Sequence, residues 1–337
     1  MHSRPRQSSV VPPAVMPGLC RTLAAGLLAL LPLGAAAAQG AIDPNVAPRA
    51  AALEREGERH MAIDLLGRYL ATAPDDGRAW LQLGRFYLYD ARDWHAHGHK
   101  SEPSGILYLD FAATALEQSI RLAVDSGTIF RGIVEVERGL VAIEARGWAE
   151  ARTLTGPDRA PHIPPYVLEL GENLLASCPA GGVLLTGSEL EALSVWYGSM
   201  ERPSLDVLPI RPDLYATDSL YRDRMARAMG VDPALPVQRA LGDVAPRRTL
   251  CISPTTDSAA VPTLSWAPYR LVRISRRASS GPEAMSITEL LKAARQSTSP
   301  WVMDVRSVYD RAAAHNLLLC SSLLLLYGDT PPPACRP

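Results

Sequence analysis

The apolar residues in the first third of the chain recur at the spacing of a helix with one buried face. Ala62, Leu66 and Leu70 are four residues apart, so that they lie on the same face of a helix. Pro74 ends this helix, because its ring clashes with the preceding turn and it has no N–H group to donate. The pattern predicts a helical hairpin that closes at Pro74.

A second hairpin follows the first at the same period. Its first helix carries small and apolar residues at helical spacing, which are Trp80, Leu83, Gly84 and Tyr87. Since Gly84 and Ala62 are small, paired helices can approach closely at these positions. We therefore expect Trp80, Gly84 and Ala62 at one helix–helix contact.

The register of these residues resembles the tetratricopeptide repeat, a family of stacked helix–turn–helix units. With Gly77 as the first position of one unit, Pro74 falls at position 32 of a unit that starts at Asp43. The resemblance covers residues 43–127, and residues 314–328 match the first half of a further unit. It implies a concave surface that binds a peptide or a protein partner. The alternative is that these helices only support the second domain.

A polar insertion over residues 89–104 interrupts the second unit. It contains His95, His97 and His99 at alternate positions. Alternate histidines of an extended loop can point to one side and ligate a metal ion. We favour a solvated loop without a metal, and we expect it to contact the partner, because irregular segments on a rigid scaffold often carry recognition.

After a proline-rich linker, short apolar runs alternate with helical segments. The runs predict buried strands at residues 182–187, 205–210, 249–253 and 269–275. Ser188 is expected to cap the helix after the first run, with Glu191 at the capping-box position. Strands that alternate with helices predict a Rossmann-like module with a parallel sheet over residues 162–275.

Polar residues that follow the strands form the candidate site of this module, since ligands of open α/β sheets bind outside the carboxyl ends of the strands. The candidates are Thr186, Ser188, Glu189, Arg211 and Asp213 at the first two strands, and Ser253, Thr255 and Asp257 at the third. We favour tight turns and helix caps at these positions. The sequence has no dinucleotide fingerprint, phosphate-loop lysine or nucleophile elbow, so we expect neither catalysis nor a cofactor. The alternative is an envelope enzyme, or a module that binds a sugar or glycan.

The same module carries a second resemblance over residues 182–221. It rests on the strand end at residues 184–188, on the aromatic pair Trp196 and Tyr197, and on Asp206 before the second strand. These residues resemble the soluble C-terminal module of bacterial multi-pass membrane proteins that are similar to protein mannosyltransferases. The resemblance does not include the membrane half that would transfer the sugar, so it implies no activity.

The N-terminal segment has the three parts of a secretory signal peptide. Arg4, Arg6 and Arg21 supply positive charge, and the apolar stretch at residues 23–33 is too short to cross a bilayer. An alanine-rich cleavage site follows. We expect residues 1–38 to be removed and the mature protein to be periplasmic, without a stable membrane anchor.

The cysteines fit this export. Cys20 leaves with the signal peptide, and four cysteines remain for two disulfides in an oxidising compartment. Three connectivities are open. We favour Cys178 with Cys251, at the edge of adjacent strands, and Cys320 with Cys335, because the proline-rich tail can fold back on its helix.

The net charge does not indicate a nucleic-acid partner. Loss of the three signal-peptide arginines leaves 31 basic against 35 acidic residues, a net charge of −4. Such a chain has no basic footprint for nucleic acid or for an anionic membrane.

Residues 301–327 predict one long helix near the C-terminus, which is expected to dock on the repeats. The expected segments are the signal peptide (1–38), the repeats (39–156), the α/β module (162–275), and a linker with the C-terminal helix (276–337). The sequence as a whole predicts a mixed α and α/β protein that binds a protein or peptide in the periplasm.

Overall fold

The computed structural model describes residues 42–97, 103–154, 162–276, 285–321, 323 and 333–336. The expected signal peptide and His99 lie outside these described residues. Within the described ranges, every helix is too short or too polar to cross a membrane.

The first part of the chain is a series of paired helices. They are α1 (Val46–Arg55), α2 (Arg59–Leu70), α3 (Gly77–Ala96), α4 (Pro103–Arg121), α5 (Asp125–Arg146) and α6 (Trp148–Leu154). Helix α1 packs on α2, and α3 packs along α4, so that two hairpins follow one another. Asp76 starts α3, because its side chain accepts hydrogen bonds from the backbone N–H groups of Arg78 and Ala79.

The prediction of an irregular insertion at residues 89–104 is wrong for the first half of this segment, which is helical. Helix α3 continues through this part, and α4 begins before the segment ends. Arg59 on α2 stabilises the additional turns of α3, because its guanidinium pairs with Asp90 at 3.0 Å and with Asp93 at 2.5 Å. Only a short connection between α3 and α4 remains, and residues 98–102 of it lie outside the described part.

Gly84 lies at a different contact from the one expected. A Cβ atom on Gly84 would come within 2.6 Å of the Leu116 side chain on α4. Ala62, in contrast, is buried in a core that α1, α2 and α3 share, with Trp80 at the edge of that core. The prediction of one shared contact is therefore wrong for Gly84, which lets α3 approach α4.

Replacement of Gly84 by leucine is expected to lower the free energy of unfolding by about 1–3 kcal/mol or more, because Leu116 and the α4 backbone would have to move. Thermal unfolding followed by circular dichroism measures this loss. Gly67→Leu is the matched control, since nothing lies within 4 Å of a Cβ atom at Gly67. A Gly84→Leu variant that melts with the wild type would show that the α3–α4 packing is incorrect.

The second part of the chain is a mixed sheet flanked by helices. Its strands are β1 (Val183–Leu185), β2 (Leu208–Ile210), β3 (Leu250–Ile252), β4 (Ala267–Tyr269) and β5 (Val272–Ile274), and its helices are α7 (Pro165–Ala176), α8 (Glu189–Glu201), α9 (Pro212–Thr217), α10 (Ser219–Met229) and α11 (Val237–Val244). The strand order is β2-β1-β3-β5-β4. Strand β1 is parallel to β2 and β3, whereas β5 is antiparallel to β3 and β4. The expected parallel sheet is therefore wrong for β4 and β5, since only β1, β2 and β3 are parallel, and the Rossmann-like class stays a prediction.

The strand expected at residues 269–275 is half of a hairpin. Strands β4 and β5 meet at a tight turn, in which Arg270 has a φ of 51°. Arginine rarely adopts the left-handed backbone conformation, so the residues at this position do not predict a turn. Strand β4 and helix α11 were not predicted.

Helix α5 joins the repeats to the α/β module. A Cβ atom on Gly132 would lie 3.0 Å from Leu193 of α8, and one on Gly139 would lie 2.2 Å from the Trp196 ring. These glycines allow α5 to pack closely on α8. The apolar core therefore continues from α3, α4 and α5 into the sheet.

The C-terminal part contains α12 (Thr288–Gln296) and α13 (Pro300–His315). The single helix predicted at residues 301–327 is wrong, because the chain leaves the helix at Asn316. The Asn316 side chain donates a hydrogen bond to the Arg270 carbonyl at 3.0 Å and accepts one from the Leu318 N–H at 3.3 Å. These bonds compete with continuation of the helix.

Both favoured cysteine pairings are confirmed. The Cα atoms are 5.8 Å apart in Cys178–Cys251 and 5.4 Å apart in Cys320–Cys335. The first disulfide ties the end of α7 to β3, and the second ties the C-terminal tail to the segment after α13. Two disulfides are typical of proteins that fold in an oxidising compartment.

Candidate functional sites: the repeat groove and the strand ends

A groove runs along one side of the repeats. Its volume is about 810 Å³, and its walls include Ala47, Pro48 and Ala51 from α1, Arg78, Leu81 and Gln82 from α3, Ser126 from α5, and the acids Asp43, Asp75 and Asp76. The residues of the α1 wall are small, so they leave space in the groove for the side chains of a bound chain. Such a surface fits an extended chain that makes both apolar and polar contacts.

Arg85 lies on the same face of α3, one turn beyond Gln82. Its guanidinium donates hydrogen bonds to Gln82 Oε1 at 3.2 Å and to the Tyr89 hydroxyl at 2.9 Å, and it lies 4.9 Å from the centroid of the Phe130 ring. Neutral groups therefore fix this cation, and within the described residues it has no carboxylate partner. An arginine has five N–H donors, so donors remain for acceptors of a bound chain.

Trp301 of α13 contacts the α5 end of this groove. Its Nε1 donates a hydrogen bond to Ser126 Oγ at 3.0 Å, and its ring packs edge-on against Phe130 with the centroids 5.7 Å apart. The C-terminal helix α13 thus contacts α5 at Ser126 and Phe130. Trp301 is held in place behind Ser126, because Val302 and Val305 beside it are buried.

At the strand ends, Ser188 and Glu191 make the expected capping box. The Glu191 carboxylate does more than the capping box requires, because it also accepts hydrogen bonds from Ser253 and Thr255, which follow β3. Thr186 is buried against β2, where its N–H donates to the Ile210 carbonyl at 3.0 Å.

The candidates Glu189 and Arg211 line one cavity of about 410 Å³, together with Arg92 of α3 and Glu137 of α5. Arg92 bridges the two parts of the chain, since it pairs with Glu137 at 2.7 Å and also with Glu189. Burial alone would lower the pKa of Arg92, but the two glutamates outweigh burial and raise it above its ordinary value. The ion pairs make this cavity a charged junction between repeats and module.

Arg211 directly precedes α9 at the edge of this cavity. Its guanidinium pairs with Asp213 at 2.6 Å, and its backbone N–H donates to the Tyr221 hydroxyl at 3.1 Å. Burial would lower the pKa of Arg211, but the bond to Asp213 raises it. Burial also raises the pKa of Tyr221, to about 12. Asp257, the remaining candidate, caps a short 3-10 turn by accepting from the Ala259 N–H at 2.9 Å.

The histidines of the former insertion do not form an extended row. His95 is buried within α3, and His97 directly follows this helix, with its Nδ1 2.6 Å from the Asp93 carbonyl oxygen. Residues two apart on a helix point in different directions. The described part of the chain contains no cluster of three or more histidine, cysteine or acidic residues that could hold a metal ion.

The sequence singled out none of Arg85, Arg92 and Glu137 as a site residue, although Arg92 lies in the segment 89–104 that was expected to contact the partner. Arg85 and Arg92 lie on a helix of ordinary amphipathic pattern, and Glu137 is a buried acid of α5. The repeat register could have indicated Arg85, because it places Arg78, Gln82 and Arg85 on the inner face of the second unit. The partners of Arg92 lie on other elements, so no local pattern reveals them.

Residues 47–86 match a family model of the tetratricopeptide repeat. No curated protein and no solved structure matches the chain. The resemblance of residues 182–221 to the mannosyltransferase-like module therefore stays a prediction. The matched residues include α2, most of α1 and the first half of α3, which identifies this part of the chain as a tetratricopeptide-repeat-like segment, a kind of module that binds proteins and peptides.

Proposed function

We propose that this protein is an exported scaffold that binds a protein or peptide partner in the groove between α1 and α3. One observation carries the proposal: Gln82, which lines the groove, accepts a hydrogen bond from Arg85 next to it, and no acidic group of the described chain neutralises this arginine. Residues held in this way lose little side-chain entropy on binding. A partner that presents a carbonyl oxygen towards Arg85 and apolar groups to the α1 wall fits this surface. Three aspartates also line the groove, so they disfavour a carboxylate within the groove itself.

The groove is tested with peptides selected against the full protein by display and then labelled for fluorescence anisotropy. Ala51→Arg fills the groove and is expected to weaken binding at least about tenfold, a loss of about 1.4 kcal/mol. Met61→Arg is the control, because Met61 is 52% exposed on α2 and is not among the groove residues. Equal affinity of the two variants would reject the groove as the binding surface.

The location in the periplasm is part of the same proposal. The two disulfides support an oxidising compartment, and the alanine-rich segment that ends at Ala38 supports cleavage there. N-terminal sequencing of protein recovered from the periplasm is expected to begin at Gln39 or within a few residues of it. Protein that starts at Met1 in the cytosol would reject export.

A second candidate function is an envelope enzyme or a glycan-binding module, favoured by the convergence of Glu189 and Arg211 on one cavity with Arg92 and Glu137. Replacing Ser188 and Glu189 by alanine separates the candidates. On the scaffold proposal this removes a cap worth about 1 kcal/mol and the half-exposed Arg92–Glu189 ion pair, and it leaves peptide binding intact. Loss of cellular activity in a folded variant that still binds its peptide would favour the second candidate.

A further inference from the structure

The crevice between the carboxyl ends of β1 and β3 has the features of an anion site. Gly187 follows β1, Ser253 follows β3, and the N-terminus of α8 points into the space between them. Parallel sheets bind ligands at such crevices, and the free N–H groups of a helix N-terminus favour negative charge there. The crevice is separate from the repeat groove and from the Arg92 cavity.

The protein itself occupies this crevice with the carboxylate of Glu191. That side chain is fully buried. It accepts hydrogen bonds from the backbone N–H groups of Gly187 at 3.0 Å, Ser188 at 3.4 Å and Thr255 at 3.2 Å. The hydroxyls of Ser253 and Thr255 each donate to it at 2.5 Å. Five donors from two separate strand ends thus converge on one carboxylate, which has about four lone-pair sites.

The walls of the crevice close tightly around this carboxylate. A Cβ atom on Gly187 would lie 2.2 Å from the Thr255 carbonyl oxygen, so the loops after β1 and β3 touch through their backbones. Ser253 is fully buried, and its hydroxyl is also 2.9 Å from the Thr256 hydroxyl. No ligand larger than the carboxylate fits while the loops keep this distance. The donors are far apart in sequence, at positions 187 and 255, so the carboxylate holds the two loops together.

We propose that this crevice is a carboxylate-binding site in which Glu191 is the built-in ligand, and that a small free carboxylate takes its place when the Glu191 side chain is shortened. The ligand class is set by the donors: a planar group with two oxygens, of the size of formate or acetate. A ligand of the α/β module therefore binds outside this crevice unless it displaces Glu191. This inference does not depend on the proposed partner of the repeats.

The test is the melting temperature of full-length Glu191→Ala in sodium formate, in sodium acetate, and in sodium chloride at equal ionic strength. The variant is expected to melt about 5–10 °C below the wild type, because five donors lose their acceptor. Formate is expected to recover half or more of this loss along a saturating curve, as a ligand of the folded state does. Chloride and neutral formamide should have no such effect.

Two further variants keep the result specific. Glu191→Gln keeps the shape of the side chain, so it should be destabilised but insensitive to formate. Glu189→Ala removes an acid from the same helix turn outside the crevice, and it should also ignore formate. If Glu191→Ala does not fold, refolding from urea with formate and with chloride replaces the melt, and only formate should restore the native spectrum. A formate response that is absent, or equal in the wild type and all variants, overturns the proposal.

Discussion

Gly171→Ala is expected to lower the free energy of unfolding by more than about 3 kcal/mol, although it adds a single methyl group. Gly171 lies where α7 crosses α8, and a Cβ atom there would be 1.8 Å from the Ser194 carbonyl oxygen and 2.3 Å from its carbon. Backbone atoms cannot rotate away as a side chain can, so the helices must separate. Gly198 faces the same crossing, where its Cβ position is 2.9 Å from the Gly171 carbonyl carbon.

Denaturant unfolding of the purified variants measures this effect. Gly67→Ala makes the same chemical change on α2 with nothing within 4 Å, and it should stabilise the protein slightly, because alanine favours a helix over glycine. If both variants unfold at the same denaturant concentration as the wild type, the α7–α8 crossing is wider than the structure has it.

Removal of the Cys178–Cys251 disulfide by a double alanine substitution is the second large change, and it is expected to cost about 4 kcal/mol. The bridge closes a loop of 73 residues, and cross-links over long loops restrict the unfolded chain most. Both cysteines are buried, so the lost packing adds to the entropic effect. The Cys320–Cys335 bridge closes only 15 residues and ties down the tail, so its removal should cost less.

Melting temperatures of the two double variants, with and without a thiol reductant, check this order. The reductant should lower the melting temperature of the wild type and of the Cys320/Cys335 variant more than that of the Cys178/Cys251 variant. A larger loss from the Cys320–Cys335 bridge would show that the α/β module does not depend on its internal cross-link.

Local sequence signals predicted the elements that short-range chemistry determines. Ser188 and Glu191 are three residues apart, so the capping box could be read directly, and the structure confirms it. Glu191 also bonds to Thr255, which is 64 residues away, and no local pattern contains that contact. The strand-end candidates are therefore partly caps, as favoured, while the binding role of the others stays a prediction.

Elements that depend on tertiary contacts were missed or misplaced. The sequence at the end of α3 is polar and is followed by Gly98, which favours a loop. Helix α3 nevertheless extends to residue 96, because Arg59 on α2 pairs with Asp90 and Asp93. The predicted long C-terminal helix breaks at Asn316, whose side chain bonds to the Arg270 carbonyl in the β4–β5 turn. In both cases a distant partner decides the end of a helix, so propensity alone gives the wrong boundary.

Site-specific photocrosslinking in living cells shows directly whether a partner binds in the groove between α1 and α3. A benzophenone amino acid at Ala47 lies in the groove, and one at Met61 lies on the exposed face of α2. We expect a discrete crosslinked partner from Ala47 that disappears when Ala51→Arg is added, and no such product from Met61. Crosslinks from Met61 alone, or crosslinks from Ala47 that persist with Ala51→Arg, would contradict binding in the groove.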